Sequence, residues 1–329
     1  MAAILPNLTT DENIAYGIPE LYAADPALFA ERSVANSVGF AIIDQGFNMG
    51  ASTRKLWVNQ GEIAANGIDD DGNGYIDDIN GWHFGDDDNV LDETTSHANS
   101  CAAAAAAPGP EWSALANVII LPSASSAGYG MQYAAVTSGI KIASHSFTTN
   151  LLTGYDYTFG LLDTNETFLF VSSAAFWPNH VDEATYPGVM TVAAFNATTN
   201  NCSDTGNYDG DNTNVLVGAF ANLVSFAVPV PGSVAAMLWC KDPSLTYSDV
   251  RSLIIAGCEH AGNSATYTKY GIISHKRSYE AAFGSLTATQ VFIGTAFGRD
   301  VKQIAGINGR APETIAAING REIRSRRMG

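Results

Sequence analysis

Residues 38–46, VGFAIIDQG, are the stretch that decides the fold. The six residues before Asp44 form a continuous apolar run, which is typical of a parallel strand with both faces buried. The run stops at Asp44, and Gln-Gly follows it. The pattern therefore predicts a buried strand whose carboxyl end presents the Asp44 carboxylate.

Strand and helix signals alternate on both sides of this stretch. Short apolar runs predict strands at residues 118–121, 140–144, 168–173 and 189–194. Small-residue or one-sided apolar runs predict helices at residues 98–107, 129–138, 233–240 and 244–256. Such alternation predicts an α/β fold with a mainly parallel sheet covered by helices on both faces.

Composition limits the function classes. The 329 residues are 46% apolar and 15% charged, enough for one large domain with its own core. With 33 acidic and 16 basic residues the net charge is -17, which opposes binding to nucleic acid or an anionic membrane surface. A signal peptide or transmembrane segment is not expected, because residues 1–16 lack a basic region and the longest apolar run is short. The sequence therefore predicts a soluble protein.

The cysteines give no sign of a disulfide framework or a zinc site. Cys101, Cys202, Cys240 and Cys258 form neither a CxxC motif nor a Cys/His cluster. We expect them to be reduced thiols within the fold.

The last part of the chain differs in charge from the rest. From Arg299 onward there are seven basic and three acidic residues, and IAGINGR (304–310) is repeated as IAAINGR (315–321). A composition shift of this kind marks an appended segment. We expect an N-terminal segment (1–30), an α/β domain (31–290) and a basic tail (291–329). The tail is either a small attachment module built on Asn-Gly turns or a flexible end.

An acidic loop follows the first strand. Residues 69–74, DDDGNG, fit the pattern D-x-[DN]-x-[DN]-G of a calcium loop. Asp69, Asp71 and Asn73 would supply oxygen ligands, the carbonyl of Tyr75 another, and Asp77 or Asp78 a further carboxylate, although Asn80 stands where an EF-hand has Glu. The alternative is a solvated acidic turn. Ca²⁺ is the one cofactor expected, and no organic cofactor is.

The same region resembles one group of subtilisin-like serine peptidases, the subtilases. Residues 56–82 are similar to their segment between the catalytic Asp and His, and residues 38–47 to the strand ending in Asp-Thr/Ser-Gly. SHANS (96–100), IASHSF (142–147) and ATYPGVMTVAA (184–194) resemble later landmarks in the same order. The resemblance covers roughly residues 16–285. It implies the three-layer subtilisin-like fold, with a short C-terminal appendage beyond it.

The resemblance implies a catalytic triad of Asp44, His97 and Ser225. Asp44 would orient the imidazole, His97 would act as general base, and Ser225 would be the nucleophile, in the chain order of subtilisin. The motif Gly-Thr-Ser-Met-Ala is absent, so Ser225 is placed by its distance from Pro229 and Pro243. Ser233 is the rival nucleophile, but in this register it falls inside the following helix.

Several family residues are replaced. Phe176 stands where the family has the oxyanion-hole Asn, and loss of one such donor costs on the order of 10²–10³ in kcat. Leu223-Val224 replaces Gly-Thr ahead of the nucleophile. The resemblance further implies that the strand carrying Ser144 and Ser146 pairs with substrate.

Two functions of different classes follow. The first is a serine endopeptidase, impaired by the altered oxyanion position and acting on a protein or peptide. The second is a catalytically retired subtilase scaffold that serves as a structural or binding module of a larger assembly, such as a virion or phage particle. In that case the basic tail would mediate self-assembly or particle attachment.

Overall fold

A nine-stranded sheet runs through the residues that the computed structural model describes, namely 12, 15–48, 55–91, 97–106, 109, 111–119, 124–146, 155–172, 185–203 and 215–286. The strands are β1 (Val38–Asp44), β2 (Gly81–His83), β3 (Ser113–Ile119), β4 (Ile140–His145), β5 (Phe168–Ser172), β6 (Val189–Phe195), β7 (Val217–Phe220), β8 (Cys258–Glu259) and β9 (Ile272–Ile273). Their order is β2-β3-β1-β4-β5-β6-β7-β9-β8. All neighbouring pairs are parallel except β8 with β9. The prediction of a mainly parallel sheet is confirmed.

Helices cover both faces of this sheet. In the described residues they are α1 (Ile18–Ala24), α2 (His97–Ala106), α3 (Ala124–Val136), α4 (Asp156–Thr164), α5 (Val224–Ala227), α6 (Val230–Lys241), α7 (Tyr247–Ala256), α8 (Ser264–Tyr267) and α9 (His275–Phe283). Two short 3-10 helices, Pro26–Phe29 and Val34–Asn36, lead into β1. The three layers agree with the fold class expected from the sequence.

Alternate residues of β1 belong to two separate cores. Phe40 and Ile42 pack with residues of α2, α6 and α7 on one face. Ala41 and Ile43 pack with residues of α3 and α4 on the other. This division follows from the two-residue period of a strand, and burial on both faces explains the continuous apolar run in the sequence.

Some elements differ from the sequence expectation. The strand expected at 118–121 begins earlier, at Ser113, because Ser113 to Ile119 pair in register with Val38 to Asp44 although the segment is rich in Ala and Leu. The helix expected at 129–138 spans Ala124–Val136. The helix expected at 244–256 begins after Thr246, which forms a capping box with Asp249.

Elements with weak sequence patterns were not anticipated. They are β2, β7, β8, β9, α1, α4, α8 and α9, most of them short or at the edges of the fold. The division into an N-terminal segment, a domain and a tail stays a prediction. The tail with its two repeats lies outside the described residues.

Within the described residues, one apolar run is long enough to span a membrane by length and composition alone. It is Val224–Lys241, and 78% of it is buried inside the fold. This degree of burial is that of a core helix, so the run gives little support for a membrane segment.

A buried serine and histidine join α6 to α9. The Ser233 hydroxyl donates to the carbonyl of Val230 at 2.6 Å, and Nε2 of His275 lies 2.7 Å from Ser233 Oγ. Since the single hydroxyl proton is used on Val230, the imidazole N–H donates to the serine oxygen. The rings of Tyr16 and Trp112 enclose the imidazole, which is fully buried, and burial lowers the pKa of His275 to about 3.

This burial predicts a loss of stability in acid. In the unfolded chain His275 binds a proton as the pH falls below 6.5, whereas in the folded chain it stays neutral down to about pH 3. The free energy of unfolding therefore falls as the pH falls through this window. We expect a contribution of about 2 kcal/mol to the loss between pH 7 and pH 5, at roughly 1.4 kcal/mol per pKa unit. Urea unfolding of wild type and His275→Gln at both pH values tests this. The variant should show a smaller difference, and an equal difference in both proteins would contradict the assignment.

Candidate active site

Asp44 and His97 form a close pair although 53 residues separate them. Asp44 is the last residue of β1 and is almost fully buried, and His97 is the first described residue of α2. The Nδ1 atom of His97 lies 2.8 Å from Oδ1 and 3.0 Å from Oδ2 of Asp44. The backbone N–H of Gln45 donates to Oδ1 at 2.6 Å and fixes the carboxylate. The Nδ1–H tautomer is therefore favoured, and in this tautomer Nε2 carries the lone pair that can accept a proton.

The carboxylate also sets the basicity of the imidazole. The hydrogen bond that the ring donates to Asp44 raises the pKa of His97, and the negative charge of Asp44 adds to the rise against the effect of partial burial. The His97 side chain is 38% exposed, so solvent or a substrate can reach the ring. An exposed imidazole with a carboxylate on Nδ1 is the arrangement of a general base.

Ser225 is fixed to the end of β4 by two hydrogen bonds. Its hydroxyl donates to the carbonyl of Ser146 at 3.1 Å, and the Ser146 hydroxyl donates to the carbonyl of Ser225 at 2.9 Å. Ser225 is the second residue of α5 and half-buried. Ser146 and Ser144 are buried, and Ser144 is the partner of Ile42 in β1. Ser225 thus lies at the carboxyl ends of the central strands, as Asp44 does.

Cys101 links the two halves of the site and was not singled out by its sequence context. It follows His97 by one helical turn, and its thiol lies 3.8 Å from His97 Nδ1 and donates to the Ser225 carbonyl at 3.5 Å. The ring of Phe226 lies 6.2 Å from the His97 ring. His97 and Ser225 are therefore neighbours across α2 and α5. The spacing of four residues on a helix was the only available signal for Cys101.

A metal ion is a second possible reading of Asp44, His97 and Cys101, whose ligand atoms all lie within 4.8 Å of one another. A thiol binds metal as the thiolate. Burial and the nearby Asp44 charge raise the pKa of Cys101 well above its usual value. The thiol is therefore protonated at neutral pH, and a metal ion bound here would have to displace its proton.

The residues ahead of Ser225 take an ordinary conformation. Leu223, where the family has Gly, has φ -131° and ψ 146°, which is extended backbone that any residue adopts. Its side chain is 55% exposed, and Val224 is buried. The loss of the glycine therefore imposes no backbone strain here. Phe176, predicted at the oxyanion position, lies outside the described residues.

Two of the predicted ligands in the acidic loop, Asp69 and Asp77, accept hydrogen bonds from backbone N–H groups of the loop. Asp69 accepts hydrogen bonds from the N–H groups of residues 72, 73 and 74. Asp77 accepts from the N–H groups of residues 66 and 67. The Tyr75 ring packs against Trp82 and Tyr133. These bonds hold the loop in its turns and leave other carboxylates to converge.

The carboxylates that converge are Glu62, Asp71 and Asp78, with oxygens within 4.8 Å of one another. Asp78 is fully buried, and its oxygens accept from Asn59, Asn73 and Tyr133. Burial raises the pKa of Asp78 to about 6, and the nearby charge of Asp71 adds to the rise. A divalent cation would remove this repulsion. Calcium binding stays a prediction, with Glu62 added to its candidate ligands.

Comparison with known proteins supports the fold. No protein-family model and no curated protein matches the sequence. The structure is similar to the crystal structure of a cold adapted subtilisin-like serine proteinase, with a TM-score of 0.55 and 15% identity over 73% of this chain and 90% of that one. The chain therefore has a subtilisin-like fold, and at this identity the likeness shows the fold alone.

The Asp44–His97 contact predicts a measurable imidazole pKa. We expect Asp44→Asn to lower the pKa of His97, because the variant removes both the charge and the strong acceptor at Nδ1. An NMR titration of the histidine ring signals measures this, with the His97 signal assigned from His97→Gln. The signals of His145 and His275 serve as internal controls. An unchanged His97 titration would contradict the pairing.

The converging carboxylates predict calcium-dependent stability. We expect Ca²⁺ to raise the melting temperature, because ligand at a hundredfold excess over Kd adds about 2.7 kcal/mol to the free energy of unfolding. Mg²⁺ should raise it less. Asp71→Asn should abolish the shift. Asp70→Asn is the matched control, since the Asp70 carboxylate accepts from Ile63 and Asn66. Equal shifts in both variants would rule out this ligand set.

Proposed function

We propose that this chain is a serine hydrolase that cleaves peptide bonds with Asp44, His97 and Ser225. The single observation that carries the proposal is the Asp44 carboxylate on Nδ1 of His97, at 2.8 and 3.0 Å, beside the serine at the start of α5. A serine hydroxyl is a weak nucleophile until a base accepts its proton. Asp44 holds the imidazole in the tautomer that can do this, and it stabilises the imidazolium that forms.

In the proposed reaction, His97 Nε2 takes the proton of the Ser225 hydroxyl as the oxygen attacks the substrate carbonyl carbon. The resulting imidazolium then gives the proton to the leaving amine, and water repeats the sequence to release the acyl group. The backbone N–H of Ser225 lies in the first turn of α5, where N–H groups lack an intrahelical acceptor. It is therefore available to the developing oxyanion.

The bond between Ser225 and Ser146 supports a low basal reactivity. A hydroxyl has one proton, so donation to the Ser146 carbonyl at 3.1 Å excludes donation to His97 at the same time. The hydroxyl must leave the Ser146 carbonyl before it can donate its proton to His97. The expected enzyme is a slow one.

The same bond is the observation that favours the second candidate, a retired scaffold in a larger assembly. A serine held permanently by Ser146 would have no turnover. A virion or phage particle, reached through the basic tail, is the assembly proposed in that case.

An active-site probe separates the two. We expect a fluorophosphonate to label the wild-type protein covalently and Ser225→Ala not at all, because the variant lacks the attacking oxygen. His97→Ala should slow labelling by on the order of 10²–10⁴-fold. Ser233→Ala is the matched control and should label like wild type, since Ser233 is 1% exposed and no probe reaches it. Labelling is read by intact-protein mass spectrometry.

Two results would contradict the proposal of a hydrolase with Ser225 as nucleophile. Labelling that survives in Ser225→Ala but is lost in Ser233→Ala would move the nucleophile to the rival serine. A folded wild-type protein that does not label at all would favour the retired scaffold. In that case sedimentation should find the full chain built into a particle, and deletion of residues 299–329 should release it.

A further inference from the structure

A cavity of about 590 Å³ lies at the opposite end of the sheet from Ser225. Its walls are the segment 31–38 that leads into β1, residues 139 and 141 at the start of β4, and the end of α6. Asp44 and Ser146 stand at the carboxyl ends of the same two strands. The seven residues of β1 separate the two ends by roughly 20 Å, so this amino-end cavity is distinct from the candidate active site.

Arg32 contributes a guanidinium to the cavity wall, and its charge, with Lys55, also lowers the pKa of Glu111 against the effect of burial. Its backbone is fixed, because its N–H donates to Glu111 at 3.2 Å and its carbonyl accepts from the Lys55 ammonium at 2.7 Å. Lys55 and Glu111 form an ion pair and neutralise each other. Within the described residues the Nε–H of Arg32 is buried and has no hydrogen-bond partner. An unsatisfied buried donor of this kind costs about 1–3 kcal/mol. The Nε atom itself is inaccessible, so a ligand in the cavity would have to meet the terminal N–H groups of the guanidinium.

Lys141 brings a second positive charge to the same cavity. Its ammonium lies 4.9 Å from the centre of the Trp239 ring, and that ring is the contact the described part of the chain gives it. Trp239 itself is fixed, since its indole N–H donates to the carbonyl of Leu245 at 3.0 Å. The cavity therefore combines two cations with an immobile aromatic wall.

The remaining charge at the cavity is a single carboxylate. Glu31 is exposed, and it opposes the two cations only in part. The charge of Arg32 reaches the inner wall, where it opposes the rise that burial causes in the pKa of Cys240. The end of α6 adds a partial negative charge. A cationic site of this kind is unusual in a chain of net charge -17.

We propose that the amino-end cavity binds a small organic oxyanion, a carboxylate or a phosphate, between Arg32 and Lys141. The guanidinium presents its N–H groups to two oxygens of such a group, and the ammonium adds a point charge. The Trp239 ring is 5% exposed, and its part is to hold the Lys141 ammonium at the cavity wall. A volume near 590 Å³ falls in the usual range for small-molecule sites.

Binding of citrate and of inorganic phosphate tests the proposal. Isothermal titration and thermal shift at constant ionic strength should give saturable binding to wild type. Arg32→Gln and Lys141→Gln should each weaken it by about tenfold or more. Glu31→Gln should tighten it, because it removes the opposing charge. Lys269→Gln is the matched control: it removes a lysine that lies 5.4 Å from the Tyr270 ring, and it should bind like wild type.

The two probes also distinguish the ligand. Tighter binding of citrate would assign a carboxylate, and tighter binding of phosphate would assign a phosphate. No saturable binding of either probe to wild type, or equal weakening by Lys269→Gln, would overturn the site. Fluorophosphonate labelling of Ser225 is read on the same variants. Because Arg32 and Lys141 lie far from Ser225, failure of this proposal leaves the hydrolase proposal standing.

Discussion

The pairing of β1 with β3 on one side and β4 on the other is the constraint on which the rest of the structure depends. Seven residues of β1 pair with β3 and five with β4, so the strand is satisfied along both edges. Its two faces are buried in separate cores. Both edges of β1 are hydrogen-bonded and both of its faces are buried, and Asp44 is the residue at its carboxyl end. The position of the carboxylate is therefore set by the core rather than by a loop.

The sequence was informative where chemistry follows a buried strand or helix. Asp44 after an apolar run, His97 before a run of alanines and the calcium-like pattern DDDGNG were visible as local patterns. Ser225 required the spacing of two prolines, because its motif is absent. The contacts that complete the site join distant positions: Ser146 to Ser225 across 79 residues, and Cys101 to Ser225 across 124. Such pairings depend on how α5 packs against β4 and α2, and one sequence does not contain that information.

The acidic loop shows a second limit of pattern reading. The motif predicts ligands at alternate positions, but hydrogen-bond acceptors near free backbone N–H groups are also used to close turns. Asp69 and Asp77 take this second role. Glu62, seven residues before the motif, also accepts from the N–H groups of residues 70, 71 and 77, and it lies beside Asp71 and Asp78. Spacing along the chain identifies which residues can serve as ligands. Only the path of the loop decides which of them meet.

The two Ser and His pairs of this chain, Ser233 with His275 and Ser225 near His97, show why residue type alone does not define a catalytic site. His275 bonds Ser233 at 2.7 Å in the core, where burial lowers its pKa to about 3 and no carboxylate supports the charged ring. Such an imidazole cannot accept a proton from a serine at neutral pH. His97 is 38% exposed, and Asp44 raises its pKa, so it can hold the proton that a nucleophile releases. The buried carboxylate at the end of β1 is therefore the group that distinguishes the pair proposed to react from the structural pair in the core.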